Sequence, residues 1–335
     1  MTKNQINYKT LFKNLTEKRE ASLVTLLVLM LIPVTIRSHS FLSPDNISEI
    51  FNDISILVIV SIGEFLVILS NGIDLSVGSI IAFTGMACGM VNQNYPGLSP
   101  IFILLIGIGI GLLMGSINGI LVAYGKIPPI ITTLGTMSIF RGLTFVLSGG
   151  TWVTSYEMTE SYIALPRTKF LGISILVWIA LIVIIVMYYF MNYKKEGREI
   201  YAIGGNPVAA KFVGVNESKI RMITFLISGA LCGLAGALWT ARYASAVNQM
   251  ATGFEMQAVA ACVLGGVNFA GGAGGIIGVV LGALFFGVLN NALPVIYLSA
   301  FWQMFVQGLV VLIALTINTA TDNHKHKQLL AQRRA

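Results

Sequence analysis

Charge is what this chain most lacks. Only 10% of its 335 residues are Asp, Glu, Lys or Arg, while 56% are hydrophobic, whereas a soluble domain carries about 25% charged residues. A globule so composed could not cover itself with polar surface, so most of its outer face must meet lipid, as in an integral membrane protein. The same scarcity excludes a disordered chain, a coiled coil, a secreted disulfide scaffold and an ordinary soluble enzyme. Cysteine is also sparse: Cys88, Cys232 and Cys262 lie inside apolar runs, without paired spacing or a nearby histidine, and read as small buried hydrophobes. Phosphate-loop chemistry is missing, since the nearest string, Gly119 to Lys126, has the wrong spacing and puts Ile127 in the hydroxyl position. No His-Glu-xx-His or Gly-x-Ser-x-Gly pattern occurs, and His39, His324 and His326 lie outside the apolar runs. No catalytic residue, metal or cofactor is expected on this chain, and any ATP must be hydrolysed by another.

What the chain has instead is continuous apolar runs of roughly 16–22 residues, the length of membrane-crossing helices and unlike the alternating strands of about 10 residues in a barrel. They predict an all-α polytopic bundle of about ten spans: 22–36, 54–70, 76–92, 101–124, 129–148, 171–191, 221–243, 255–269, 274–291 and 301–319. The segments starting near Asp74 and Glu255 are short, interrupted by glycine and opened by an acid, as re-entrant or broken helices would be. The run from Ala21 to Ile36 lacks a cleavage pattern and reads as the first span. With both termini cytoplasmic, 16 of the 21 basic residues fall inside, among them Lys126, Lys194, Lys195, Arg198, Lys211, Lys219 and Arg221. That asymmetry obeys the positive-inside rule, so the net charge of +7 is topological and no nucleic-acid partner is implied. The resulting division is a cytoplasmic segment 1–21, a membrane domain 22–319 holding the inner loop 192–219, and a cytoplasmic tail 320–335.

Polar residues inside spans are costly unless they face a cavity or a partner. Asp74, in Asn71-Gly72-Ile73-Asp74-Leu75-Ser76, and Glu255 each suit a helix cap, whose carboxylate takes free backbone N–H groups, as well as a functional role. Glu64 is mid-span and either pairs with a cation such as Arg141 or is protonated. Asn118, Thr132, Thr133, Thr136, Ser138, Asn290, Asn291, Gln303 and Gln307 are neutral hydrogen-bonding groups spread over several spans. Such a lining suits an uncharged polyhydroxylated solute, and interhelical hydrogen bonding accounts for any one of them equally well. Gly111, Gly115 and Gly119 form a small-residue stripe that invites close helix packing, and the tract Gly265 to Gly275 predicts a turn or a close crossing between broken helices.

The inner loop carries the sharpest local signal. Asn206 caps a helix whose first residue is Pro207 and whose end is marked by Gly214, predicting about two turns on the cytoplasmic side. Its apolar Val208, Ala209, Phe212 and Val213 need a cover, either a cytoplasmic partner docked there or the bundle itself.

Four motifs in order, Gly-Ile-Asp-Leu-Ser-Val-Gly-Ser at 72–79, Lys-Ile-Pro-Pro-Ile-Ile-Thr-Thr-Leu-Gly-Thr at 126–136, the loop 197–215 and Ala-Cys-Val-Leu-Gly-Gly at 261–266, resemble the permease subunits of ribose-type ABC importers. The stretch 248–256 looks closest to autoinducer-2 permeases, while Leu289-Asn290-Asn291 and Trp302-Gln303-Met304 look more like ribose permeases, which leaves the sugar open. The resemblance implies a second permease subunit, identical or related, cytoplasmic ATPase subunits holding the ATP and magnesium, and a periplasmic or lipid-anchored sugar-binding protein. It implies a bacterial inner-membrane location and import by alternating access. Carried onto this chain, the ATPase-contacting element is Gly197, Arg198, Ala202, Gly204, Asn206, Pro207, Ala209, Ala210, Phe212, Val213 and Gly214. The residues left to line the path or cap helices are Asn71, Asp74, Asn118, Thr132, Thr133, Thr136, Glu255, Asn290, Asn291, Gln303 and Gln307. An ion-coupled secondary transporter using Glu64, Asp74 or Glu255 is the alternative reading, and an intramembrane enzyme is disfavoured because no nucleophile–base pair can be named.

Overall fold

The computed structural model describes residues 19–299, 301–313 and 316. The expected cytoplasmic tail 320–335, and most of the expected N-terminal segment 1–21, lie outside the described residues. In chain order the helices are α1 (Arg19–Arg37), α2 (Pro44–Leu69), α3 (Val77–Asn94), α4 (Pro100–Ala123), α5 (Pro129–Ser148), a short α6 (Glu160–Ala164), α7 (Ile175–Tyr193), α8 (Lys195–Gly205), α9 (Pro207–Phe212), α10 (Glu217–Tyr243), α11 (Phe254–Leu264) and α12 (Ile276–Val295). A final apolar helix, α13, covers Phe301–Ile313. The loop between α6 and α7 adds one small hairpin of β1 (Lys169–Phe170) and β2 (Ile173–Ser174), paired antiparallel.

Local sequence explains where the helices begin and end. Ser43, Ser99 and Pro128 are the caps before Pro44, Pro100 and Pro129, each proline taking a first-turn position where its missing N–H costs nothing. Asn216 Oδ1 accepts from the Lys219 amide at 3.0 Å to start α10, and Gly149, at φ +59°, ends α5.

Burial sorts the helices into an inner and an outer set. In α2 the apolar stretch is 94% buried within the protein, as expected of a helix hydrophobic on every side, whereas in α7 it is 22% buried and the rest is left for lipid. Helix α10 packs most extensively on α4, then on α3 and α2.

The α4–α10 contact is a glycine seam. A methyl group on Gly111 would meet the Gly233 Cα at 2.7 Å, and one on Gly115 would meet the Gly229 Cα at 3.0 Å. The stripe expected on α4 is thus answered by Gly229 and Gly233 on α10, in the antiparallel sense, with backbone against backbone.

Among the described residues, six helices are long and apolar enough to cross a bilayer: α2, α4, α5, α7, α10 and α12. The expected ten spans are therefore not all single helices. The departure is largest at 255–269, where α11 stops at Leu264 after 11 residues, about 16 Å of rise. Hydropathy carried the expected span through Gly265 and Gly266, which end the helix. The passage continues as the glycine tract to Gly275, where Asn268 N–H donates to the Ala273 carbonyl at 2.8 Å and Gly272 N–H to the Leu69 carbonyl at 3.0 Å. The turn and close crossing expected of that tract are both present.

The other break lies between α2 and α3. Ser70 to Ser76 is not helical, Asn71 adopts φ +63°, and the segment folds back beside Ser228, about 16 Å along α10 from Glu217. Irregular backbone at that depth is possible because protein rather than lipid surrounds it.

If the seam holds the bundle together, bulk there must be destructive while bulk beside it is harmless. Gly111→Leu should cost at least about 3 kcal/mol by overpacking, read as a large loss of monodisperse protein and a lowered melting temperature in detergent. Gly109→Leu, on the same helix with no atom near its would-be Cβ, should behave as wild type.

Candidate functional site

Of the polar residues expected to line the path or cap helices, Asp74, Asn118 and Thr133 fall into one group and Asn290, Asn291 and Gln307 into another. The first surrounds the unwound segment between α2 and α3. Glu64 Oε1 accepts from the Asp74 amide at 3.1 Å, and Asp74 Oδ1 accepts from the Ser76 amide at 3.0 Å and from its hydroxyl at 2.5 Å. Ser228 donates to Asp74 Oδ2 at 3.3 Å, Asn118 Nδ2 to Ser76 Oγ at 2.8 Å, and Thr133 Oγ1 to the Ile73 carbonyl at 3.1 Å. All of these side chains are buried. The acids therefore supply acceptors to backbone N–H groups that no helix uses, a service worth several kcal/mol away from water. Asp74 is close to the expected cap but acts two residues earlier, since Ser76 is the capping residue of α3.

The pairing of Glu64 with Arg141 is not formed. Arg141 Nη1 instead donates to the carbonyls of Asn248 and Met250 at 3.1 and 2.9 Å, and the acid whose charge it feels is Glu255. The loop 244–253 after α10 carries free carbonyls, and a guanidinium with several donors satisfies two of them at once. Glu255 Oε2 sits against Gly78 at the start of α3. Thr136 donates to the Thr133 carbonyl, Ser138 to that of Leu134 and Gln303 to that of Leu298, all within their own local turns. Thr132 Oγ1 is buried without a partner in the structure, and Asn71 is half-buried against the glycine tract near Gly271.

The second group lines a cavity of about 210 Å³ at the far end of α10, roughly 40 Å of helix from Glu217. Asn290 Nδ2 donates to Gln257 Oε1 and Gln307 Nε2 to Asn290 Oδ1, both at 3.0 Å, and Asn291 lies beside them. Trp239, Tyr243 and Phe254 form the aromatic wall, with the Trp239 ring edge-on to Phe254 at 5.0 Å between centroids. Asp53 reaches the same space but is held by Arg242 at 3.2 Å and by the Tyr243 hydroxyl at 3.1 Å. Asp53, Trp239, Tyr243, Phe254 and Gln257 were not singled out from sequence, although the four-residue spacing of Trp239 and Tyr243, and the three-residue spacing of Phe254 and Gln257, put each pair on one helix face.

The expected cytoplasmic element forms α8 and α9. Asn206 Oδ1 accepts from the Ala209 amide at 3.0 Å, Pro207 is the first residue of α9, and Gly214 turns the chain at φ +85°. Val208, Phe212 and Val213 are 66%, 88% and 79% exposed, so the bundle does not cover them. Ala210 faces inward, as do Gly197, Ile200, Ile203 and Gly204, while Arg198, Ala202 and Ala209 are exposed. The root of the element is tight. A methyl group on Gly204 would run into the Leu69 carbonyl and the Gly272 amide, and the Tyr201 hydroxyl donates to the Gly274 carbonyl at 2.9 Å. A depression of about 590 Å³ bounded by Pro207, Val208, Lys211, Phe212 and Glu217 adjoins the exposed tip.

An apolar bundle with buried broken segments, a solute-sized cavity at one end and an uncovered two-turn helix at the other is the anatomy of a permease. Residues 46–315 match the family described as branched-chain amino acid transport system / permease component. The chain belongs to this permease family. It is 38% identical over 94% of its length to the ribose import permease protein of Haemophilus influenzae, covering 96% of that protein. It is 36% identical over 97% of its length to the ribose import permease of Escherichia coli, covering all of it. The autoinducer 2 import system permease protein LsrC of Escherichia coli is 34% identical over 92% of this chain and is covered to 89%. No solved structure matches. The family and the apolar helices make this a multi-pass membrane transport subunit, not an enzyme.

The unwound segment offers a direct check. Asp74→Ala leaves the Ser76 amide and the Ser228 hydroxyl without an acceptor, which should cost about 1–3 kcal/mol and lower the melting temperature in detergent. Asp74→Asn, which keeps one carbonyl oxygen, should lose less; equal losses would show that the acceptor is not what matters.

Proposed function

We propose that this chain is the permease subunit of an ATP-driven, binding-protein-dependent importer that passes a neutral monosaccharide or similar polyol, such as a ribose-like sugar or autoinducer-2, into a bacterial cell across its inner membrane. The observation that carries this reading is α9. A helix of six residues that leaves Phe212 and Val213 largely bare to water is unfavourable by itself and becomes favourable once a second protein covers it. In the proposed assembly two permeases sit above two ATPase subunits, α9 docks on the ATPase, and ATP and magnesium stay on that partner. Glycine at 204 lets α8 lie directly on the end of α2 and on the glycine tract, so a push on α9 meets backbone rather than flexible side chains. Rigid displacement of that root changes which side the pathway faces, the alternating-access step.

The membrane domain 22–319, with the docking loop 192–219 inside it, is then one mechanical unit. The ion-coupled alternative loses support at Asp74, both of whose oxygens accept from Ser76 or Ser228, while Glu64 uses Oε1 for the Asp74 amide and has no partner at Oε2.

The docking role is testable at the exposed tip. Phe212→Asp and Val213→Asp each change a side chain that contributes little to the folded chain, so expression and melting temperature should stay as in wild type. With the ATPase and binding protein present, ATP-driven sugar uptake should fall at least tenfold and stimulation of ATP hydrolysis by the loaded binding protein should disappear, because a carboxylate at a buried contact is costly. Full uptake in both variants would remove the proposal, as would uptake by the chain alone driven by an ion gradient.

A further inference from the structure

The family description speaks of branched-chain amino acids, while the relatives reported above are named for the import of ribose or of autoinducer 2. The cavity at the far end of α10 distinguishes the two chemistries. An amino acid brings a carboxylate and an ammonium, and burying either requires an opposing charge or a set of donors aimed at it. Among the described residues that line the cavity the one charged group is Asp53, whose Oδ1 is taken by Arg242 and by the Tyr243 hydroxyl, so no cation lines it to meet a carboxylate.

The uncharged groups are not spent. Asn290 donates through Nδ2 to Gln257 Oε1 and accepts at Oδ1 from Gln307 Nε2. Among the described residues, Gln257 Nε2, Asn291 Oδ1 and the Trp239 indole N–H have no protein partner. The cavity therefore offers two donors and an acceptor next to aromatic faces. Hydroxyls both donate and accept, and the C–H face of a sugar ring is apolar enough to lie on an indole or phenyl ring. At about 210 Å³ the space is below the usual range for drug-sized ligands of about 300–1,000 Å³ and fits a small solute only.

From this we infer that the permease itself recognises its cargo: the cavity is a receiving site for one neutral, polyhydroxylated ring, with Trp239 as the stacking platform and Gln257 and Asn291 as the hydroxyl readers. The site selects such a ring against a zwitterion of similar size. Its place in transport rests on the importer reading above, but binding to the isolated chain does not, so the two can fail separately.

The full chain in lipid nanodiscs, without ATPase or binding protein, is titrated with tritiated D-ribose by scintillation proximity, and unlabelled D-ribose, D-xylose, D-galactose and L-leucine are added as competitors. Saturable millimolar binding is expected, displaced by at least one sugar and not by leucine at the same concentration. Gln257→Leu should weaken it about tenfold, the worth of one hydrogen bond lost to a solute, and Trp239→Leu at least as much. Phe212→Asp, at the other end of the molecule, should leave it unchanged even where uptake is lost. Absence of saturable sugar binding, displacement by leucine, or equal affinity in wild type and in both cavity variants that retain wild-type melting temperatures would each overturn the assignment.

Discussion

Everything in this bundle is arranged around the closeness of two backbones. Gly111 and Gly115 on α4 face Gly229 and Gly233 on α10 with no side chain between them. In lipid there is no hydrophobic gain from bringing helices together, so van der Waals contact between backbones has to supply it. The seam fixes the height and rotation of α10, which, like α2 with Glu64 and Asp53, reaches both the unwound segment and the cavity. The first turn of α10 follows α9, the helix proposed to dock, its middle carries Ser228 against the unwound segment, and its last turns carry Trp239 and Tyr243 to the cavity. A shift of α10 along its axis would therefore be felt at all three places.

The seam also makes room for backbone that is not helical. With α4 and α10 pressed together, α2 is wrapped on all sides, and its end at Leu69 meets the glycine tract and α8 instead of lipid. That shelter is what lets Ser70 to Ser76 and Gly265 to Gly275 exist inside the membrane, where each unpaired amide or carbonyl would cost several kcal/mol. The polar side chains of the first group are best understood as the completion of this arrangement. Glu64, Asp74, Asn118, Thr133 and Ser228 each serve the unwound chain or a neighbour that does, which is why residues with the look of an ion site turn out to be engaged with amides and hydroxyls.

How much of this could be read from sequence depended on whether the signal was local. The capped helix at 206–214 was legible down to the capping residue, because Asn206 and Pro207 act on amides within their own turn. The glycine stripe on α4 was legible as a packing face, though its partner on α10 was not, since nothing in one chain's order says which two glycine pairs meet. The run 255–269 was legible as a broken helix from its short length and its glycines, but the point of the break was not, because hydropathy does not register that Gly265 and Gly266 end the helix. For Glu64 the sequence left a pairing with Arg141 and protonation both open, and the true partners of Arg141 were hidden for a similar reason: the free carbonyls of a loop more than a hundred residues away are invisible until the chain is folded. The cavity was half legible. Asn290, Asn291 and Gln307 stood out as polar residues in apolar surroundings, whereas Trp239, Tyr243 and Phe254 look like ordinary membrane aromatics until they share one wall.

The two ends of the molecule are joined by a short and stiff line. The root of α8 touches the Leu69 carbonyl and the glycine tract at Gly204, and Tyr201 holds the tract again at Gly274. That tract is the continuation of α11, whose first turn presents Phe254 and Gln257 to the cavity. A displacement of the docking helix in the proposed cycle cannot be absorbed at the Gly204 contact, because no side chain there can give. It has to be taken up by the tract, where Gly266, Gly271, Gly272 and Gly274 sit at positive φ and rotate at little cost, and so by the position of α11 relative to α10 and α12. Moving α11 separates Gln257 from Asn290 and Phe254 from Trp239, taking apart the polar readers and the aromatic wall together. In that proposed cycle, release of a solute and motion of α9 are thus expected to share one coordinate, set by which parts of the chain have backbone to spare and which do not.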